Sequence, residues 1–183
     1  MATVTNVSNA QPGVGGAVSV APLGTALPTS ADGELGNTFK NLGYISDEGA
    51  TNEITRDTND IKAWGGYTVL ALQNSMDDKF KMTFLETMNT DVLKVVHGDT
   101  KVSGTLATGI TVSASAAELE AHAWVIDMVL RGGALKRITI PNGKVTEIEE
   151  INYVDSEAIG LGVTITAMPD ASGNNHYEYI KMP

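Results

Sequence analysis

The chain has 183 residues, 42% of them hydrophobic, with a mean hydropathy near zero; that length is enough for one substantial buried core, and no apolar run approaches the ~18 residues of a membrane span. It contains no cysteine, which excludes disulfides, thiolate metal sites and thiol catalysis. Twelve basic against 22 acidic residues give a formal charge of −10, which works against nonspecific binding to a phosphate backbone.

The first ten residues, MATVTNVSNA, carry no Lys or Arg and no compact apolar stretch, so no secretory signal is expected. Residues 1–36 stand apart in composition. They hold six glycines, six alanines and three of the six prolines, with no aromatic before Phe39 and no charge before Asp32. Such a segment buries too little apolar surface to offset its ordering entropy, which predicts a flexible N-terminal arm over 1–36 and a single domain over 37–183. Val20, Leu23, Leu27 and Leu35 give the second half of the arm the better prospect of docking on a neighbour.

Short β-type runs separated by turn signals follow. Phe39–Ser46 reads as a strand and Tyr67–Ser75 as the next, with about twenty polar residues between them read as a long loop. Most hairpin loops take only ~2–5 residues, so a loop of this length is a candidate for making contacts. It carries an isolated Trp64 followed by Gly65 and Gly66. Asp57, Asp60 and Trp64 are the candidate contact residues, with a role for Trp64 as anchor of the loop's own base left open.

Phe80, Met82 and Phe84 alternate with Lys79, Lys81 and Thr83, giving a half-buried strand, with Asp77-Asp78 read as the turn before it. Asn89 has the character of a helix N-cap, Val92, Leu93, Val95 and Val96 form a helical stripe, and Gly98 is a stop. Val102–Thr105 and Ile110–Ser113 are expected to pair as a small hairpin. Ser115–Glu118 has a capping-box pattern, read as at most one helical turn, before a strand from about His122 to Leu130. Arg131-Gly132-Gly133 turns the chain into Leu135–Ile140. Pro141-Asn142-Gly143 reads as a tight turn with glycine in the left-handed region, and Lys144–Tyr153 returns. Ile159–Ala167 gives the clearest alternation, Pro169–Asn175 a turn, and His176–Met182 a last strand. The pattern predicts a mainly β protein, an antiparallel sandwich or barrel with one short flanking α-helix, a long inter-strand loop and an extended arm.

Chemistry-bearing patterns are sparse. His97, His122 and His176 fall on three elements without metal-ligand spacing. The Asp170–Asn174 run departs from a calcium loop in its glycine position and in Lys181 at the final ligand place, so it reads as a turn. Glu147 and Glu149 share a strand face while Glu150 takes the other, and nothing marks a cleft that would make them a glycosidase pair. Lys136-Arg137 is the one adjacent basic doublet, too little for a nucleic-acid surface. No catalytic residue, metal or cofactor is expected.

The Gly43-Tyr44 opening, ITRDTNDIKAWGG, FKMTFLET with its following helix, HAWVIDM, LKRITIPNGKVTEIEEINYVDSEAIGLGVTITAMPD and GNNHYEYI, in that order, resemble the major tail tube proteins of long-tailed, non-contractile bacteriophages, the actinobacteriophage type in particular. The resemblance runs from about Phe39 to the end. It implies a β-sandwich that assembles as hexameric rings, stacked into the hollow virion tail through which the genome passes. Partners would be further copies of the chain and other tail proteins (tape measure, tail terminator and distal tail protein), after synthesis in the host cytoplasm. DNA would pass without specific binding, and Asp77, Asp78, Glu147 and Glu149 are the candidate acidic residues facing the bore. The alternatives are the tube subunit of a contractile tail or secretion apparatus and, with few aromatics to support it, a carbohydrate- or ligand-binding sandwich.

Overall fold

The computed structural model describes residues 2–183, and its main feature is one antiparallel sheet that closes upon itself. The strands are β1 (Ala10–Pro12), β2 (Val18–Pro22), β3 (Lys40–Asn41), β4 (Ile45–Lys62), β5 (Thr68–Phe84), β6 (Val102–Thr105), β7 (Gly109–Val112), β8 (Ala121–Leu130), β9 (Leu135–Ile148), β10 (Leu161–Ala167) and β11 (Tyr177–Lys181), with helix α1 at Thr90–His97. The sheet order is β3-β2-β8-β9-β10-β5-β4, with β1 added to β8 and β11 to β9, while β6 and β7 form a separate hairpin.

The two ends of that order, β3 and β4, are joined by three residues. Leu42 N–H donates to the Val18 carbonyl at 2.9 Å, and Leu85 N–H donates to the Tyr44 carbonyl at 2.9 Å. The segment around Leu42, itself fully buried, therefore laces the β2 end to the β5 end and makes a barrel of the sheet.

One face of the central strands β2, β5, β8, β9 and β10 fills the interior. Val18 and Val20 from β2, Phe80, Met82 and Phe84 from β5, Trp124 and Ile126 from β8, Ile138, Ile140 and Val145 from β9, and Leu161, Val163 and Ile165 from β10 form one cluster with Val92, Leu93, Val95 and Val96 of α1. The helix agrees with its sequence reading in detail. Asn89 Oδ1 accepts from Asp91 N–H at 3.0 Å, all four apolar stripe residues are buried, and Gly98 ends the helix at φ 106°. Two turns cannot hold alone, so α1 depends on this packing. The β6–β7 hairpin, the turn at Arg131–Gly133, β10 and β11 also lie where the sequence places them.

Five expectations are corrected. Residues expected to form a free arm are built into the sheet: Val18–Pro22 pairs with His122–Ile126, and residues 17–21 are buried. The small residues that make the segment look unstructured are what fit there. Val18 and Val20 point into the core, while Ser19 and Ala21 occupy the opposite face, and Arg137 fastens the following loop by donating to the carbonyls of Ser30 (3.1 Å) and Gly33 (2.6 Å). Arg137 is itself held by both oxygens of Asp127, at 2.6 and 2.9 Å, so the basic doublet supplies a structural arginine.

The expected long loop is strand. β4 runs to Lys62, and β5 runs without a break through Asp77 and Asp78 instead of turning there. Pro141-Asn142-Gly143 is likewise inside a continuous strand, at a register shift against β8 where a proline costs no ladder bond. Gly143 is needed there for close approach and not for a left-handed φ. A Cβ at this position would sit 2.6 Å from Trp124 Cδ1, and the Trp124 indole donates to the Gly143 carbonyl at 2.9 Å. Finally, the first run, Phe39–Ser46, is broken at Gly43 (φ 73°) into β3 and the start of β4.

Candidate functional site

Beyond the point where β10 leaves it, the β4–β5 pair continues alone. β10 covers β5 only from Lys79 to Phe84, so Ile54–Lys62 and Thr68–Asp78 form a two-stranded hairpin standing clear of the barrel. At ~3.3 Å per residue it projects roughly 30 Å. Gly65 (φ 103°) and Gly66 (φ 89°) close the tip, where Ala63 N–H donates to the Tyr67 carbonyl at 2.8 Å. Trp64 crowns it with its side chain fully exposed, which removes the reading of Trp64 as an anchor of the hairpin's own base.

The hairpin's apolar residues are grouped. Ile61 is in register with Leu70, and Leu72 follows two residues later, so the three share one face with Asn59. Each is 43–50% exposed, and Tyr67, Val69 and Trp64 extend this surface at the tip. Large apolar side chains on a projecting ribbon with both faces in water mark an interaction surface. Asp60 pairs with Ala71 on the opposite face, and Asp57 accepts from Asn74 at 3.1 Å. The structure thus brings Asp57, Asp60 and Trp64 onto one element while leaving Asp57 a role within it.

The hairpin is fixed at its root by a buried polar group. Asp78, wholly inaccessible, accepts from Asn52 Nδ2 at 2.7 Å and lies 2.5 Å from His176 Nδ1, whose ring meets Phe80 edge to face. This ties β4, β5 and the segment leading into β11 together. It also removes Asp78 from the acidic residues that could face a bore, since its carboxylate lies inside the subunit.

Asp77 at the hairpin root and Glu147 and Glu149 on the barrel wall are exposed and lie on the same side of the sheet. Asp77 alternates with Lys79 and Lys81 along β5, and Thr164 is in register with both Lys81 and Glu147. The Glu149 side chain lies across Gly162, where a Cβ would collide with it. Glu53 joins the same face and binds Lys81 at 2.8 Å. Hydrogen bonding to Glu53 raises the Lys81 ammonium above the usual lysine range, with Glu147 and Glu149 adding to it by charge, and Glu53 is lowered in return. Four carboxylates against two ammonium groups leave this wall moderately, not strongly, negative.

Among the described residues, the one cluster of metal-ligand types is Asp99, Glu120 and His122, whose donor atoms lie within 4.8 Å of one another. Sequence spacing hides it, because Asp99 follows α1 while His122 is on β8. His122 Nε2 is 3.3 Å from Asp99 Oδ2, an interaction that explains the placement without a metal.

No helix of the described residues is long and apolar enough to cross a membrane. No curated protein matches the chain. Residues 5–182 match the family model described as phage tail tube protein, and on that match over nearly the whole chain the protein belongs to the phage tail tube family, as a structural component of a virion tail.

Proposed function

We propose that the chain assembles into hexameric rings stacked into the tube of a non-contractile tail, the conduit for genome ejection. The observation that carries this reading is the projecting β4–β5 hairpin, whose exposed apolar face and tryptophan tip have no partner among the described residues. The barrel already buries its own core, so the hairpin contributes little to the fold, and contact with a neighbouring copy is the role its chemistry supports. Head-to-tail contacts of this kind are heterologous, closing into rings or continuing as a stack according to the rotation between copies.

In this reading Trp64 and the Ile61, Leu70 and Leu72 face supply the contact, with Asp57 and Asp60 flanking it. Asp77, Glu147 and Glu149 line the bore, and sixfold repetition of the chain's −10 charge keeps DNA from adhering to the wall. Tape measure, tail terminator and distal tail proteins are the further partners.

The test is excision of residues 57–75, joining Arg56 to Met76 through an Asn-Gly turn. The trimmed chain is expected to stay folded and monomeric while the full chain forms rings or tubes in negative stain and sedimentation. Tubes from the trimmed chain, or a full chain that is monomeric at every concentration, would overturn the proposal.

A further inference from the structure

Between the β1 segment and the first turns of β4 lies a cavity of about 310 Å³, lined among others by Tyr44, Ile45, Ser46, Asp47, Ala50 and Ile126. Its volume is at the low end for a binding pocket, suited to one aromatic group. Two of its polar features are unanswered within the chain. The Ser46 hydroxyl oxygen is buried with no hydrogen-bond partner among the described residues. Asp47 is exposed and has no ion-pair partner among them.

The hairpin tip offers the complement of each. Trp64 presents an exposed indole with a single N–H donor, and Lys62, two residues away, is a cation equally without an ion-pair partner. The tip cannot reach the cavity of its own subunit. Ala50 in the cavity wall and Lys62 at the tip are separated by twelve residues of extended strand, roughly 40 Å.

Resting on the tube-subunit reading above, we propose that this cavity is the socket for Trp64 of a second copy of the chain. The indole fills the cavity, its N–H donates to Ser46 Oγ, and Lys62 pairs with Asp47 across the interface. The buried hydroxyl then gains its missing partner, and each subunit presents one tip and one socket, the requirement for a repeating head-to-tail contact.

The socket is tested separately from the hairpin. Ala50→Trp, an exposed position, fills the cavity from within and is expected to raise the concentration needed for assembly by about tenfold or more while leaving the monomer's melting unchanged. Lys62→Asp and Asp47→Lys are each expected to raise it about tenfold at low salt, and the two combined in one chain to restore it to within about threefold of wild type, because the pair is reversed and not removed. Emission from Trp64 is expected to shift to the blue on assembly. If Ala50→Trp assembles like wild type, or the doubly reversed chain is no better than either single variant, the socket assignment is wrong. Should hairpin excision still block assembly in that case, the hairpin docks elsewhere and only this inference falls; should the trimmed chain assemble as well, the tube-contact reading falls with it.

Discussion

Strand β5 belongs to two different environments along its length. From Phe80 to Phe84 alternate side chains enter the barrel core and are almost inaccessible, whereas from Thr68 to Ser75 every residue is exposed. Both halves pair antiparallel with β4. What differs is a third neighbour, since β10 and the core stand beside one half and no strand among the described residues pairs beside the other. An isolated two-stranded ribbon is marginal in water, so the exposed half is held by its continuity with the buried half, and its side chains are left free for a partner.

Substitutions on the two sides of that boundary separate folding from assembly. The largest effect is expected in the barrel. Trp124→Ala removes the largest buried side chain and its bond to the Gly143 carbonyl, and should cost the monomer about 3–5 kcal/mol in denaturant unfolding. A cost below 1 kcal/mol would mean the barrel does not depend on this packing. At the boundary, Asp78→Ala leaves the Asn52 amide and the His176 ring without their buried acceptor. About 1–3 kcal/mol is expected, with increased hydrogen exchange confined to the hairpin root.

On the hairpin side, Trp64→Ala should change monomer stability by no more than about 0.5 kcal/mol, as for other exposed positions, yet prevent tube formation. A large loss of monomer stability would reverse the comparison by making the tip part of the fold. Replacing Asp77, Glu147 and Glu149 together by Lys should leave the fold and assembly intact. The resulting tubes are expected to retain DNA at low salt and release it steeply as salt rises, and tubes as indifferent to DNA as the parent would place this wall away from the bore.

The smallest effect concerns Asp170. The Tyr177 hydroxyl, then backbone N–H groups of Asn174, Ser172 and Gly173, hold its carboxyl below the ordinary value of 3.8. A depressed carboxylate contributes stability above that ordinary value and loses it as pH falls through the lower folded one. The stability gap between wild type and Asp170→Asn should therefore be constant from neutral pH down to about 4 and narrow below it. A gap of the same size at pH 2 would show that the charge is not its source.

The same boundary governs what could be read from residues alone. Period-two alternation at Phe80–Phe84 and Leu161–Ala167, and the Val92–Val96 stripe with its Asn89 cap and Gly98 stop, are imprinted by a buried face, and these elements lie where the pattern puts them. The hairpin has no buried face. Asp47 to Gly66 therefore shows polarity without alternation, which reads as loop although β4 is paired with β5 as far as Lys62. Val18–Pro22 fails for the opposite reason, because small residues packed on both sides look like low complexity. Trp64 stands out in the sequence by its isolation beside two glycines, while the burial of Asp78 and the Asp99–His122 proximity depend on partners 98 and 23 residues away in sequence.

By itself, the sequence determined the β class, the helix, the absence of thiol chemistry and the acidic balance, and it marked Trp64. These are properties of composition and local period, which act within a few residues. Closure of the barrel at Leu42, the projection of the hairpin, the withdrawal of Asp78 into the subunit and the shaping of the cavity at Ser46 were decided only by tertiary structure. Each depends on strands distant in sequence meeting in one register, and register is set by the packing of the whole sheet.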